Sequence, residues 1–367
     1  MKISQITLWS VDLTSHETYY MAEGKACATV TSHVLCLETD TGLRGWGEVC
    51  PIPHYLPAFA GGIASVVTEL APQILGLSPF GVDAPMRVLD AHLIGHDAAK
   101  SMVDIALWDL FGQATGQPLY ALLGGRTRRD MRLYHSITCI APDEMARIAK
   151  DAYASGIRQF QAKLGSDADW QADAERLIKV REAVGPGPLV YGDWNCGATK
   201  LHATRTGRAV AHLDVMLEQP CKTLEDCAAV RAATGLAMKI DECAHDLATL
   251  LCARELGCLD AVALKLSKFG GLSAMRRARD LTVYLGAEIC AECTWGSDIV
   301  TAASLHFAAS TPRGFLLNTC DLSGYVSPRI APDCPTRAEG RIAPPEGPGL
   351  GVTPDMDTLG QPILEIS

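Results

Sequence analysis

Five charged residues stand where five successive short strands are expected to end: Lys163, Asp193, Glu218, Asp241 and Lys265. Their spacings of 30, 25, 23 and 24 residues are each about one strand-plus-helix unit. Three consecutive strands therefore aim one carboxylate each at a common point, with a lysine on either side. Carboxylates that converge repel one another and raise each other's pKa unless a cation sits between them. Oxygen-only ligation suits a hard, octahedral ion, so Mg²⁺ is expected, with Mn²⁺ as its substitute. Such an ion accepts a substrate carboxylate and offsets the charge that appears when the adjacent carbon loses its proton. Partly desolvated beside it, the two lysines are expected to have lowered pKa values, one acting as base while the other donates a proton. Any one of the five reads as a helix cap or a solvated surface group. Five in register on successive strands do not.

The elements that must position them follow a rhythm. Strands are expected at 131–136, 159–163, 189–193, 215–218, 238–241, 261–265, 288–291 and 315–317, separated by helices of roughly a dozen residues. Eight such units predict a closed (β/α) barrel, whose active site lies at the C-terminal strand ends. No Gly-x-Gly-x-x-Gly follows the first strand, which argues against a dinucleotide-binding fold. Before the barrel, Ile3, Ile6 and Leu8, then Val34 to Glu38, then a strand toward Trp46 predict an antiparallel meander. Helical spacing of Met102, Ile105, Ala106 and Leu110 falls within a helical stretch over about 61–116. Pro118 and Gly124-Gly125 break the pattern and put a boundary near Arg126. After about Asp321 the rhythm stops, and a tail containing Pro344-Pro345 and Pro348-Gly349-Leu350-Gly351 is expected to return over the N-terminal unit. The expected organisation is an α+β cap over 1–125, a barrel over 126–320 and a returning segment over 321–367.

The net charge is −10, with no basic run of five or six residues, which excludes a nucleic-acid footprint. Fourteen cysteines are scattered singly beside apolar residues. Met1-Lys2-Ile3 leads straight into a strand pattern rather than a leader, so buried reduced thiols and a cytoplasmic location are expected. The lone Cys-x-x-Cys, Cys290 to Cys293, has no second pair at zinc spacing. No apolar run is long enough to span a membrane. Of ten histidines only His135 falls in an expected barrel strand, which argues against a histidine-liganded hydrolase.

At this point the chain resembles the enolase superfamily, in its muconate-lactonizing and mandelate-racemase-like branch. The resemblance runs through Gly45-Trp46-Gly47-Glu48, Ala106-Leu107-Trp108-Asp109, Gly116-Gln117-Pro118-Leu119 and Leu122-Leu123-Gly124-Gly125. It continues in Leu217-Glu218-Gln219-Pro220, Asp241-Glu242, Gly270-Gly271-Leu272 and Pro348-Gly349-Leu350-Gly351. It implies a modified (β/α)₇β barrel under an α+β capping domain, which amends the plain eight-fold count. It also implies Asp193, Glu218 and Asp241 as metal ligands and Lys163 and Lys265 as paired bases. Asn195, Glu242, Gln161 and Lys268 stand as supporting residues behind them. One departure matters. The branch usually has Lys-x-Lys where this chain has Gln161-Ala162-Lys163, so Lys163 lacks a positive neighbour and is expected to be more basic.

Within the branch, the sequence is similar to enzymes that act on proline derivatives: cis-3-hydroxy-L-proline dehydratases and the epimerases of hydroxyproline betaine or proline betaine. Trp295 is expected over a cationic ring nitrogen, with Asp298 or Glu292 paired to it, and Tyr55 and Tyr134 as further lining. Tyr20 and His54 are additional lining candidates. In cis-3-hydroxy-L-proline the α-hydrogen lies on the face opposite the hydroxyl, so one lysine can take that hydrogen while the other protonates the leaving hydroxyl. The 50s loop around Tyr55 resembles that of the dehydratases more than that of the betaine epimerases, so the resemblance implies dehydration over epimerisation. The implied partners are a small proline-derived substrate and further copies of the same chain.

Overall fold

The computed structural model describes every residue except Ala168. The N-terminal unit is an antiparallel sheet of β1 (Ile3–Tyr20), β2 (Ala26–Thr39) and β3 (Arg44–Val49), followed by helices α1 (Ala60–Ile74), α2 (Asp83–His92) and α3 (Asp97–Thr115). Along β1 inward and outward residues alternate, so Tyr19 is buried while Tyr20 is exposed. The Gly-Trp-Gly signature on β3 has a steric cause. A Cβ at Gly45 would lie 2.3 Å from the Ala106 carbonyl oxygen, and one at Gly47 would lie 1.8 Å from that of Met102. Only glycine lets α3 settle this closely on the strand.

After the short α4 (Leu119–Leu122), the expected strand over 131–136 proves to be two pieces. The first, β4 (Met131–Arg132), pairs antiparallel with a tail strand, whereas β5 (His135–Ile137) opens the barrel. The strands β6 (Gln159–Lys163), β7 (Leu189–Asp193), β8 (Met216–Glu218), β9 (Met238–Ile240), β10 (Ala261–Lys265), β11 (Glu288–Glu292) and β12 (Leu316–Thr319) follow, each parallel to its neighbours in chain order. A bridge from Leu133 to Thr319 brings the two edges together. Seven intervals carry helices: α5 (Pro142–Ala154), α6 (Trp170–Val184), α7 (Lys200–Val210), α8 (Leu224–Thr234), α9 (Leu247–Glu255), α10 (Leu266–Phe269) with α11 (Leu272–Leu285), and α12 (Asp298–Ser310). None follows β12 within the sheet, which is the (β/α)₇β form. Side chains of Asp169, Thr199, Thr223 and Asp246 cap α6 to α9, starting each helix at the end of the barrel where the strands finish.

The helix α12 is buried along its whole length, as its nearly uninterrupted apolar and small residues require. It packs against β3 of the cap as well as β11 and β12 of the barrel. The tail runs back across the molecule through β13 (Val326–Ser327), β14 (Arg341–Ile342) and β15 (Leu364–Ile366). Both β13 and β15 pair with β1, and β14 pairs with β4. All fourteen cysteines are free. Among the described residues, no helix is long and apolar enough to cross a membrane.

Candidate active site

The parallel register places Lys163 beside Asp193, Asp193 beside Glu218, and Lys265 beside Glu292; Asp241 follows directly on β9. The five residues picked out by spacing thus meet at one end of the barrel. Lys163 Nζ donates to Asp193 Oδ2 at 2.5 Å, and Lys265 Nζ to Asp241 Oδ2 at 2.6 Å. Lys268 Nζ holds the other oxygen of Asp241 at 2.7 Å. Gln161 Nε2 donates to Glu218 Oε2 at 2.8 Å, and its own oxygen accepts from Ser136 Oγ at 2.9 Å. Asn195 Nδ2 bridges Asp193 Oδ2 (3.0 Å) and Glu242 Oε1 (3.1 Å).

Above these groups lies a small cavity of about 50 Å³. Lys163, Lys265, Gln161, Asn195 and the expected lining residues Tyr55, Tyr134, Glu292 and Trp295 all face it. The Tyr134 hydroxyl donates to Glu292 Oε2, and Trp295 meets Tyr19 edge-to-face with centroids 5.4 Å apart. Asp298 is not brought to the cavity. It is buried, ion-paired to Arg329 Nε at 2.5 Å, and accepts the Ala331 N–H at 2.9 Å. Gly296, at φ 145°, turns the backbone between Trp295 and α12, so the two residues diverge. Tyr20 and His54 are exposed and face elsewhere. Tyr19 and Tyr325 line the wall instead; the alternation of β1 gave the signal for Tyr19, and nothing in the tail pattern pointed to Tyr325. A larger depression of about 880 Å³ opens among Arg132, Arg158 and Arg341, and none of the candidate residues lines it.

The expected mutual raising of the carboxylates is met only in part, since burial is outweighed at Asp241 by Lys265 and Lys268, which hold it below the ordinary carboxylate range. Burial pushes Glu218 up to about 7, helped by Asp193 and Asp241 and opposed by Lys239. Burial, with Asp241 and Asp193 adding to it, pushes Glu242 up to about 8. The lysines go the other way from expectation. Burial disfavours both ammonium groups, but Asp193, Tyr55 and Glu218 outweigh it at Lys163, and Asp241, Glu292 and Glu242 at Lys265, so both stand above an ordinary lysine. The expected lowering assumed a divalent charge, and the carboxylates act in the opposite sense.

The donor set fits a hard cation in chemistry: three carboxylates on neighbouring strands, all oxygen, with Asn195 Oδ1 and Glu242 Oε2 buried and without a hydrogen bond. As placed, however, the carboxylates turn to lysines and amides. Among the described residues, no three acidic, imidazole or thiol side chains stand close enough together to enclose an ion.

A buried lysine was not anticipated either. Lys239, on β9, is fully buried with Nζ 2.9 Å from Glu218 Oε1 and 3.7 Å from Glu292 Oε1. A lone lysine between Met238 and Ile240 reads as a surface residue. The only available signal was its place two residues before Asp241, on the same face of the strand.

Residues 6–124 match the family "Mandelate racemase / muconate lactonizing enzyme, N-terminal domain", and residues 144–358 match "Enolase C-terminal domain-like". Over its whole length the chain is 41% identical to the full cis-3-hydroxy-L-proline dehydratase of Roseibium aggregatum. It is 27% identical to the N-succinyl-L-Arg/Lys racemase of Bacillus cereus, covering 98% of this chain and 97% of that one. A mandelate racemase/muconate lactonizing enzyme structure from Roseovarius nubinhibens ISM, complexed with magnesium, superposes with a TM-score of 0.95 at 32% identity, with both chains fully covered. Matched from cap to barrel, this chain is an enzyme that belongs to the mandelate racemase/muconate lactonizing group of the enolase superfamily.

Proposed function

We propose that the chain dehydrates cis-3-hydroxy-L-proline to Δ¹-pyrroline-2-carboxylate in a Mg²⁺-dependent reaction that passes through an enolate. The observation that carries this is the small aromatic-walled cavity in which Lys163 and Lys265 face a common space beside Glu292. The likeness to the Roseibium aggregatum dehydratase points the same way. The proposed organisation is a cap of 1–125 with 321–367, over a barrel of 126–320.

Asp193, Glu218 and Asp241 would hold the Mg²⁺, with Mn²⁺ as a substitute. Bound there, the ion supplies positive charge to the substrate carboxylate. Glu292, fixed by the Tyr134 hydroxyl, pairs with the ring nitrogen, while Trp295 and Tyr55 form part of the wall around the ring. One lysine, in its neutral form, takes the α-hydrogen as a proton. The opposite ammonium gives its proton to the C3 hydroxyl, the C3–O bond breaks, and water leaves. The resulting C2=C3 enamine tautomerises to the Δ¹ product. Return of a proton to the opposite face instead gives 2-epimerisation.

Incubation with cis-3-hydroxy-L-proline and Mg²⁺ should yield Δ¹-pyrroline-2-carboxylate, and Lys163→Ala and Lys265→Ala should abolish it. Absence of product from the parent would sink the proposal. Deuterium exchange at the α-carbon of proline betaine or hydroxyproline betaine, without dehydration, would establish the epimerase reading in its place.

A further inference from the structure

Lys239 belongs to none of the roles described so far. Its side chain is fully buried, beneath the floor of the cavity rather than in its wall. An isolated ammonium in such a place is strongly disfavoured unless anions face it. Here two do. Nζ lies 2.9 Å from Glu218 Oε1 and 3.7 Å from Glu292 Oε1, and 4.8 and 5.5 Å from the ring centres of Tyr191 and Tyr134. Neither Nζ nor Glu218 Oε1 has an aligned hydrogen bond, so Lys239 acts here as a point charge. Glu218 is also held at its other oxygen by Gln161. Glu292 is held by the neutral Tyr134 hydroxyl and faces the cavity. Glu292 also accepts from the Cys290 thiol at 3.3 Å and has Lys265 as a nearby cation in the cavity wall. Lys239 is thus its counter-charge from below and Lys265 from the cavity side.

We propose that Lys239 is a positioning and specificity-determining residue, which from beneath the floor holds Glu292 as a cavity-facing carboxylate for a positively charged substrate nitrogen. This rests on the reading of Glu292 as the partner of the ring nitrogen. A side chain that merely filled space would be replaced well by methionine, which has the same unbranched shape without the charge. A support for Glu218 alone would act through Mg²⁺ binding.

Lys239→Met, Glu292→Gln and the double variant separate these cases. With cis-3-hydroxy-L-proline at saturating Mg²⁺, each single variant should raise KM by about 10- to 100-fold, the worth of a hydrogen bond to a charged group. The double variant should be no worse than either single, as expected for residues acting as one unit. Calorimetric titration with Mg²⁺ should show no weakening in Lys239→Met. A parental KM in Lys239→Met, or a loss confined to Mg²⁺ affinity, overturns the proposal. So do single-variant losses that multiply in the double. If the parent turns over no proline derivative, the functional reading falls, and melting temperatures alone decide the Lys239–Glu292 link. Each single should then melt lower and the double should recover part of the loss, whereas additive losses refute the link.

Discussion

Replacing Glu48 with alanine should cost more stability in acid than in base. Glu48 is buried in the cap and reaches across to the barrel, accepting the N–H groups of Ser297 (2.6 Å) and Val300 (3.0 Å) at the start of α12 and the Ser32 hydroxyl (2.8 Å). Without the carboxyl, two buried helix-end N–H groups lose their acceptor, at about 1–3 kcal/mol each. The Ser32 hydroxyl can fall back on the Val49 carbonyl, 3.4 Å away. Against this loss stands the cost of keeping a charge out of water. Burial pushes Glu48 up to about 7 from the usual 4.5. That difference is worth on the order of 3 kcal/mol once the group is ionised in both states. A carboxyl raised on folding stabilises below its unfolded pKa, and the benefit is lost as pH climbs through about 7. The parent carries this dependence and the variant does not. The stability gap between them should therefore be about 2–6 kcal/mol at pH 5 and on the order of 3 kcal/mol smaller at pH 8.5. Urea unfolding of both proteins at the two pH values, followed by tryptophan fluorescence, measures it. A gap that is constant or widens with pH would refute the reasoning.

Four further outcomes are expected. Gly47→Ala forces a Cβ to 1.8 Å from the Met102 carbonyl and should lose more than about 3 kcal/mol or fail to fold. Gly187→Ala, with open space around it, should stay within about 1 kcal/mol of the parent in the same melts. Arg329→Met strips the guanidinium from buried Asp298 and should cost about 3 kcal/mol. Its KM should be unchanged, and a raised KM without destabilisation would return Asp298 to the substrate site. Asp104, pushed by burial to about 7, accepts the Ser273 N–H and hydroxyl. Asparagine keeps the first bond and can donate to the hydroxyl oxygen, so Asp104→Asn should gain on the parent between pH 6 and pH 8.5. Melting curves without that trend would refute it.

The clustering of the candidate site was legible in the sequence where chemistry and period coincide. Lys163, Asp193, Glu218, Asp241 and Lys265 recur at one strand–helix interval, and the parallel register converts that interval into proximity. Linear closeness misled in the 290s, because the turn at Gly296 sends Asp298 into a helix start while Trp295 stays on the wall. Tyr20 failed for the simplest reason: a strand puts neighbours on opposite faces, and Tyr19 took the inward one. Lys239 stayed hidden because its meaning lies in Glu218 and Glu292, far off in sequence. The glycines of β3, by contrast, carry a signature of packing and touch no chemistry.

The pairing of β15 with β1, Ile6 opposite Ile366, bears on how the protein is made. During synthesis the barrel strands emerge in order and each meets a neighbour that has just left the ribosome. The cap sheet cannot be completed until β15 has emerged, because this partner lies far beyond β1 in the sequence. Closing so long a loop is slow compared with local pairing. A nascent barrel would therefore wait with its cap sheet unfinished. Catalytic competence should appear only once β15 has emerged, and stalled chains ending before β15 should lag behind longer ones in protease resistance at β1.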